Sequence, residues 1–206
     1  AVIEAALNGL GKPGMGCTAT CAYIENDTLA IAHVGDSRAY LLHEGTLIRV
    51  TRDHSYVEEL VDAGEITADE ARVHPNRSVI TRALGSDPAM YADHFTLHIE
   101  EGDRLILCSD GLSSMIPDSD IENIATQSST AQICVDNLVD AALAAGGHDN
   151  VTVVVVDLVD DGVMREAQRV RRRNVTIGVV LGLVLVLAAA IWAYTGVTGS
   201  YYLGTY

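Results

Sequence analysis

Three aspartates stand where an apolar, strand-like run meets small residues. Leu29–Val34 runs into Gly35-Asp36-Ser37, Arg104–Cys108 runs into Ser109-Asp110-Gly111, and Gly146-Gly147-His148-Asp149-Asn150 runs into Val151–Val159. A carboxylate fixed at a strand end, with Gly or Ser allowing close backbone approach, suits a hard divalent cation such as Mg2+ or Mn2+, which prefers oxygen donors. Asp-Gly and Asp-Asn are also ordinary turn pairs, so each triplet taken singly reads as a turn. Three of them at the ends of the most apolar strands leave both readings open on pattern alone: a divalent-metal site, or a set of turns.

Carboxylates so placed need a framework. Val2, Ile3, Ala5, Ala6 and Leu10 have helical spacing, and a Gly/Pro-rich break follows over Gly11–Gly16. Strands are predicted at Thr18–Ile24, Leu29–Val34, Arg38–Leu42 and Thr46–Val50, with a polar turn at Glu25–Thr28 and a hairpin around His43-Glu44-Gly45. Two short helices are predicted at Tyr56–Ala63 and Thr67–Val73, the second opened by Thr67 with Glu70 three positions on, a capping-box pattern. Strands return at Phe95–Ile99 and Arg104–Cys108, helices at Asp118–Thr126 and Thr130–Ala145, and a β-branched strand closes at Val151–Val159. Segregated strands and helices predict an α+β fold, with antiparallel sheets covered by helices.

The formal net charge of -15 argues against nucleic acid as a partner, because a phosphate-tracking surface needs clustered Lys and Arg. The basic cluster, Arg165 through Arg173, directly precedes an apolar run, where a membrane explains it better. Cys17, Cys21, Cys108 and Cys134 form no CxxC pair, and three lie in or beside apolar runs, which points to free thiols in a reducing compartment. His33, inside an apolar strand, reads as a packed core histidine, and His74 before Pro75 as a helix terminator. His54 and His148 lie nearer the expected site, where a packing role and a supporting role are both open.

Val175–Tyr194 carries no charge, and its length matches the ~20 residues that cross ~30 Å of hydrocarbon. Trp192 and Tyr194 lie near its far end, and Arg169, Arg171, Arg172 and Arg173 flank the near end. The positive-inside rule then predicts a single-pass helix in the cell membrane, with residues 1–174 cytoplasmic and the C-terminus extracytoplasmic. The expected organisation is a domain over 1–162, a basic juxtamembrane linker over 163–174, the transmembrane helix at 175–194, and the start of an extracytoplasmic segment at 195–206.

Taken together, several motifs carry a family resemblance. Gly14-Met15-Gly16-Cys17-Thr18, His33-Val34-Gly35-Asp36-Ser37-Arg38, Leu107-Cys108-Ser109-Asp110-Gly111-Leu112 and Gly147-His148-Asp149-Asn150-Val151-Thr152 resemble, in order and rough spacing, the metal-dependent protein phosphatases of the type 2C class. Thr51-Arg52-Asp53-His54-Ser55, His74-Pro75-Asn76-Arg77 and Arg82-Ala83-Leu84-Gly85 resemble bacterial members, and the C-terminal apolar helix resembles the membrane-anchored ones that oppose receptor-type Ser/Thr kinases. The resemblance covers about Ala1–Leu158. It implies an antiparallel β-sandwich flanked by helical layers, with two Mn2+ or Mg2+ ions at one end and a third in bacterial members. Asp110 and Asp149 would be ligands of the main cluster, and Asp36 with Asp110 would hold the third ion. Asn150 would orient the Asp149 loop, and residues about Tyr56–Arg77 would form a substrate-selecting flap. The implied reaction is hydrolysis of phosphoserine or phosphothreonine by a metal-activated water, with phosphorylated proteins, a Ser/Thr kinase and its substrates as partners.

The family's first two motifs are absent: an Arg–Asn–Glu–Asp stretch and an Asp-Gly-Met-Gly-Gly-like turn. They supply the phosphate-binding Arg, further metal carboxylates and a His assigned as general acid. Together with a start at Ala1 lacking Met, this leads to the expectation of an N-terminally truncated fragment, itself inactive, with a half-built metal cage and unpartnered sheet edges. Cys17 stands where many members have Thr. The competing reading is a catalytically inactive, phosphatase-like regulatory module at a membrane.

Overall fold

Two tight turns with positive φ shape the first strands. Strand β1 (Ala19–Glu25) returns as β2 (Thr28–Val34) through Asn26-Asp27, with Asn26 at φ 54°. Strand β3 (Arg38–His43) returns as β4 (Thr46–Arg49) through Glu44-Gly45, at φ 48° and 80°. Paired positive-φ residues give a turn whose twist matches that of the flanking strands, which favours two-residue hairpins.

The structure, a computed structural model, describes residues 2–8, 12 and 14–159. The chain divides into two compact units, Ala1–Leu158 and Val159–Tyr206, and the architecture reported belongs to the first. The basic linker over 163–174, the run 175–194 expected to cross a membrane and the segment 195–206 lie outside the described residues. Among the described residues no helix is long and apolar enough to cross a membrane.

Strands β5 (Asp93–His98), β6 (Arg104–Cys108) and β7 (Val153–Asp157) complete two antiparallel sheets, ordered β1-β2-β5 and β4-β3-β6-β7. The chain crosses from one sheet to the other at Gly35-Asp36-Ser37, between β2 and β3. Period-two alternation then builds two cores. Leu29 and Ile31 of the first sheet meet Ala39, Leu41 and Leu105 of the second in the sandwich interior. The intervening Tyr40, Ile106 and Cys108 point to the opposite face, into a cluster with Leu112, Ile116, Ile121, Ala125, Cys134, Leu138 and Ala142. Fully burying such a Leu or Ile contributes roughly 1.5–3 kcal/mol, so both faces of the four-stranded sheet hold the fold together.

Facing the sheet in that second cluster are three helices, α4 (Asp110–Ser113), α5 (Asp118–Gln127) and α6 (Ala131–Ala144), with Ile116 from the α4–α5 connection. Earlier in the chain lie α1 (Val2–Leu7), α2 (Tyr56–Asp62) and α3 (Ala68–Val73), the last opened by a complete Thr67–Glu70 capping box and ended at His74. Among the described residues, helices α4–α6 pack on the outer face of the four-stranded sheet. Cys21, Tyr23 and Ala32, on the outer face of the three-stranded sheet, are exposed, so no described helix covers it. All four cysteines are free; Cys108 and Cys134 are buried, whereas Cys17 and Cys21 are exposed. Strand β7 is also shorter than the predicted Val151–Val159, because Val151 and Thr152 belong to the loop that reaches Ser109. Helix α4 was not predicted; it is a single turn of four residues with only Leu112 as a large apolar side chain, too short for a helical period to show.

Candidate metal centre

Strand register gathers the three aspartates at one end of the sandwich. Arg38 pairs with Cys108 and Cys108 with Val153, so these residues share one edge of the four-stranded sheet. Asp36 lies two residues before Arg38, Asp110 two after Cys108, and Asp149 four before Val153. All three leave the sheet on the same side.

Each loop is held by specific contacts. Gly35 has φ 110°, and a Cβ there would stand 2.3 Å from Thr18 Cγ2. Thr18 Oγ1 and Ser37 Oγ, 2.9 Å apart, hold the turn from the β1 side. On the other side His54 grips the same glycine twice: its amide donates to Gly35 O at 2.8 Å, and its Nδ1 accepts from Gly35 N at 3.0 Å. The Asp110 and Asp149 loops touch directly. Ser109 Oγ donates to Asn150 O at 3.1 Å and accepts from Thr152 N at 3.0 Å. Asn150 N donates to Asp149 Oδ1 at 2.7 Å, so the main chain of Asn150 restrains the Asp149 loop.

The electrostatics report the crowding of these acids. Burial, and next the charge of Asp110, pushes the Asp36 carboxyl up to about 6. Burial, and next the charge of Asp149, pushes Asp110 above the usual carboxylate range, with the amides of Gly111 and Asp110 pulling the other way. Each acid feels the next one, which is the pressure a bound cation relieves. The donors are all carboxylate oxygens, as Mg2+ and Mn2+ require. Their chemistry therefore fits the metals. Among the described residues, however, no group of three His, Cys, Asp or Glu is close enough to hold an ion. The charge of Asp110 acts on Asp36, and that of Asp149 acts on Asp110.

Sequence reasoning missed the support around these acids. Arg38 Nε lies 3.0 Å from both oxygens of buried Asp53, and its Nη2 lies 2.7 Å from Asp53 Oδ2. Arg38 Nη1 and the Tyr40 hydroxyl also reach Asp118 Oδ1, at 3.4 and 3.0 Å. This network ties the Asp36 turn to the start of α5. Arg72, on α3, donates to the carbonyls of Ser113 and Ser114 at 3.0 and 3.3 Å, joining the expected flap to the end of the Asp110 helix. Only proximity in space reveals these pairs, since 15 to 80 residues separate their members. His33 is a core residue as expected, 1% exposed, with Thr20 Oγ1 at 2.9 Å and Arg52 O at 3.1 Å. His148 is exposed, and its ring lies against Gly146.

Residues 11–151 match the family model described as Protein phosphatase 2C, and the chain belongs to that family. It is 40% identical over 144 residues to the serine/threonine phosphatase stp of Listeria welshimeri, covering 70% of this chain and 57% of the relative. The chain thus spans little more than half the length of that relative. The crystal structure of the Mycobacterium tuberculosis serine/threonine phosphatase PstP/Ppp superposes with TM-score 0.73 at 39% identity, over 77% of this chain and 66% of the other. The catalytic domain of PstP in complex with two manganese ions gives TM-score 0.70 at 37% identity, with the same coverage of 77% and 66%.

Proposed function

We propose that this chain contributes the metal-binding side of a Mn2+- or Mg2+-dependent phosphatase acting on phosphoserine and phosphothreonine in proteins. The convergence of Asp36, Asp110 and Asp149 at one end of the sandwich carries this reading. Bound divalent ions supply an acidified water as nucleophile and positive charge against the phosphoryl oxygens. The chain's own residues hold the ligands: Asp110 at the first turn of α4, Asp149 through the Asn150 amide, and Asp36 through the grip on Gly35. Helices α2 and α3 would flank the phosphopeptide, with Arg72 linking their position to Asp110. The test is phosphopeptide hydrolysis by the full-length gene product with Mn2+. Asp110→Asn should abolish it, and undiminished hydrolysis would contradict the assignment.

The uncharged run Val175–Tyr194 and its flanking arginines support a tether that keeps the domain on the cytoplasmic face of a membrane. A receptor-type Ser/Thr kinase and its substrates are then the natural partners. Deleting 175–194 should release the protein from alkali-washed membranes, and unchanged retention would count against a span. A second reading, a non-catalytic phosphatase-like module, is favoured by the lack of a three-ligand group among the described residues. The same hydrolysis assay separates the two.

A further inference from the structure

We infer that His54 is a positioning residue for Asp36, acting as a neutral ring with its hydrogen on Nε2 and orienting the metal-facing turn from the 81–93 segment. The inference rests on the metal reading of Asp36. Nδ1 faces the amide hydrogen of Gly35 at 3.0 Å, so this nitrogen offers its lone pair. The hydrogen of the neutral ring therefore sits on Nε2, 2.9 Å from Asp93 Oδ2. Arg82 Nη1 also lies 3.1 Å from Nε2, but it donates to Asp93 Oδ1 at 2.6 Å, so both N–H groups converge on one carboxylate. Arg82 is itself held, with its guanidinium carbon 4.3 Å from the centre of the Tyr91 ring.

The ring is 2% exposed in its side chain and packs against His33, with centroids 5.0 Å apart. It cannot swing to another partner without emptying a closed site. Its main chain adds a second grip, donating to Gly35 O at 2.8 Å and accepting from Thr81 N at 2.8 Å. A fixed tautomer thus transmits the position of Asp93 and Arg82 to the one glycine that sets the direction of Asp36. Tyr56 N donates to Val79 O at 2.9 Å, so the segment that places His54 also begins the expected flap. Such supporting partners are what hold a ligand at its working angle.

The substitutions that test this separate the two ring nitrogens. Asn at position 54 sets an acceptor near the Nδ1 position, whereas Gln sets its amide near Nε2. Mn2+ binding, followed by the electron paramagnetic resonance of free Mn2+, should weaken about 10-fold or more in His54→Gln and His54→Phe. His54→Asn keeps the acceptor for Gly35 but not the bond to Asp93, so its loss should be smaller than that of Gln or Phe. Equal losses in Asn and Gln, or none in Phe, would overturn the inference. The unsubstituted chain gives an independent reading if a variant fails to fold. Its nitrogen-15 histidine spectrum should show His54 as the Nε2–H tautomer, with the Gly35 amide hydrogen bonded to Nδ1. An Nδ1–H ring would overturn the inference whatever the metal does. Absence of Mn2+ uptake by the parent, with the Nε2–H tautomer present, would sink the metal reading and leave the grip on Gly35 standing.

Discussion

Gly111 lies directly against the main-chain oxygen of Asn150: a Cβ on Gly111 would stand 2.4 Å from that oxygen. The contact locks the Asp110 helix onto the Asp149 loop, and no flexible side chain is available to yield. Gly111→Ala should therefore destabilise the fold by about 1–3 kcal/mol, through forced backbone movement. Urea denaturation measures this, and a wild-type midpoint would show that the two loops are not in contact.

Metal affinity should depend on pH in a defined direction. The Asp36 carboxyl, pushed up to about 6 by burial and then by Asp110, must lose its proton to serve as a ligand. Affinity for Mn2+ should then rise as pH climbs through about 6 and fall below it. Stability of the metal-free protein runs the other way. Between the ordinary value of 3.8 and about 6 the folded state keeps a proton that the unfolded chain has released. That contribution is present below 3.8 and is lost as pH rises through about 6. Calorimetric titration at pH 5 and pH 7.5, on the order of one unit either side of that value, checks the first trend. Asp36→Asn should weaken both trends, leaving the part that the raised Asp110 contributes.

Arg38 and Asp53 form an ion pair with side chains 17% and 9% exposed. Removing one partner strands the other away from water, so Asp53→Asn or Arg38→Met alone should cost about 3 kcal/mol. Replacing both by apolar residues should recover much of the loss, since the desolvation penalty vanishes with the charges. Additive losses in the double variant would show that the pair is not coupled.

The frame of the fold was legible in the sequence, and its crossings were not. Leu29–Val34, Arg38–Leu42 and Arg104–Cys108 alternate or run apolar over strand lengths, and Thr67 with Glu70 announced the cap of α3. Nothing local says that β2 and β3 belong to different sheets, because that depends on strand partners 60 or more residues downstream. The open outer face of the three-stranded sheet escaped prediction for a related reason. Ala30, Ala32 and Cys21 are small and apolar, so the alternation along β1 and β2 does not mark which face is open. At the site, the aspartates were visible from their strand ends. The Arg38–Asp53 pair and the His54 grip on Gly35 were not, since each joins residues that only the folded chain brings together.

The α3 cap makes a local prediction. Thr67 Oγ1 accepts from Glu70 N at 3.2 Å, while Glu70 Oε2 accepts from Thr67 N at 2.7 Å. Thr67→Ala should cost about 1 kcal/mol, and the loss should fall on the flap. Hydrogen exchange should quicken at the amides of Glu70–Arg72 and stay unchanged in β6. Uniform acceleration across both would mean that α3 is not an independent opening unit.

The central claim is that the acids at one end of the sandwich form a divalent-cation site through Asp110, whose charge acts on Asp36 and which feels that of Asp149. Calorimetric titration of the 206-residue chain with Mn2+, beside Asp110→Asn, tests it most directly. Saturable binding by the parent, weakened about 10-fold or more in a folded Asp110→Asn variant, is the predicted result. Undiminished Mn2+ binding in the variant, or none in the parent, would contradict it.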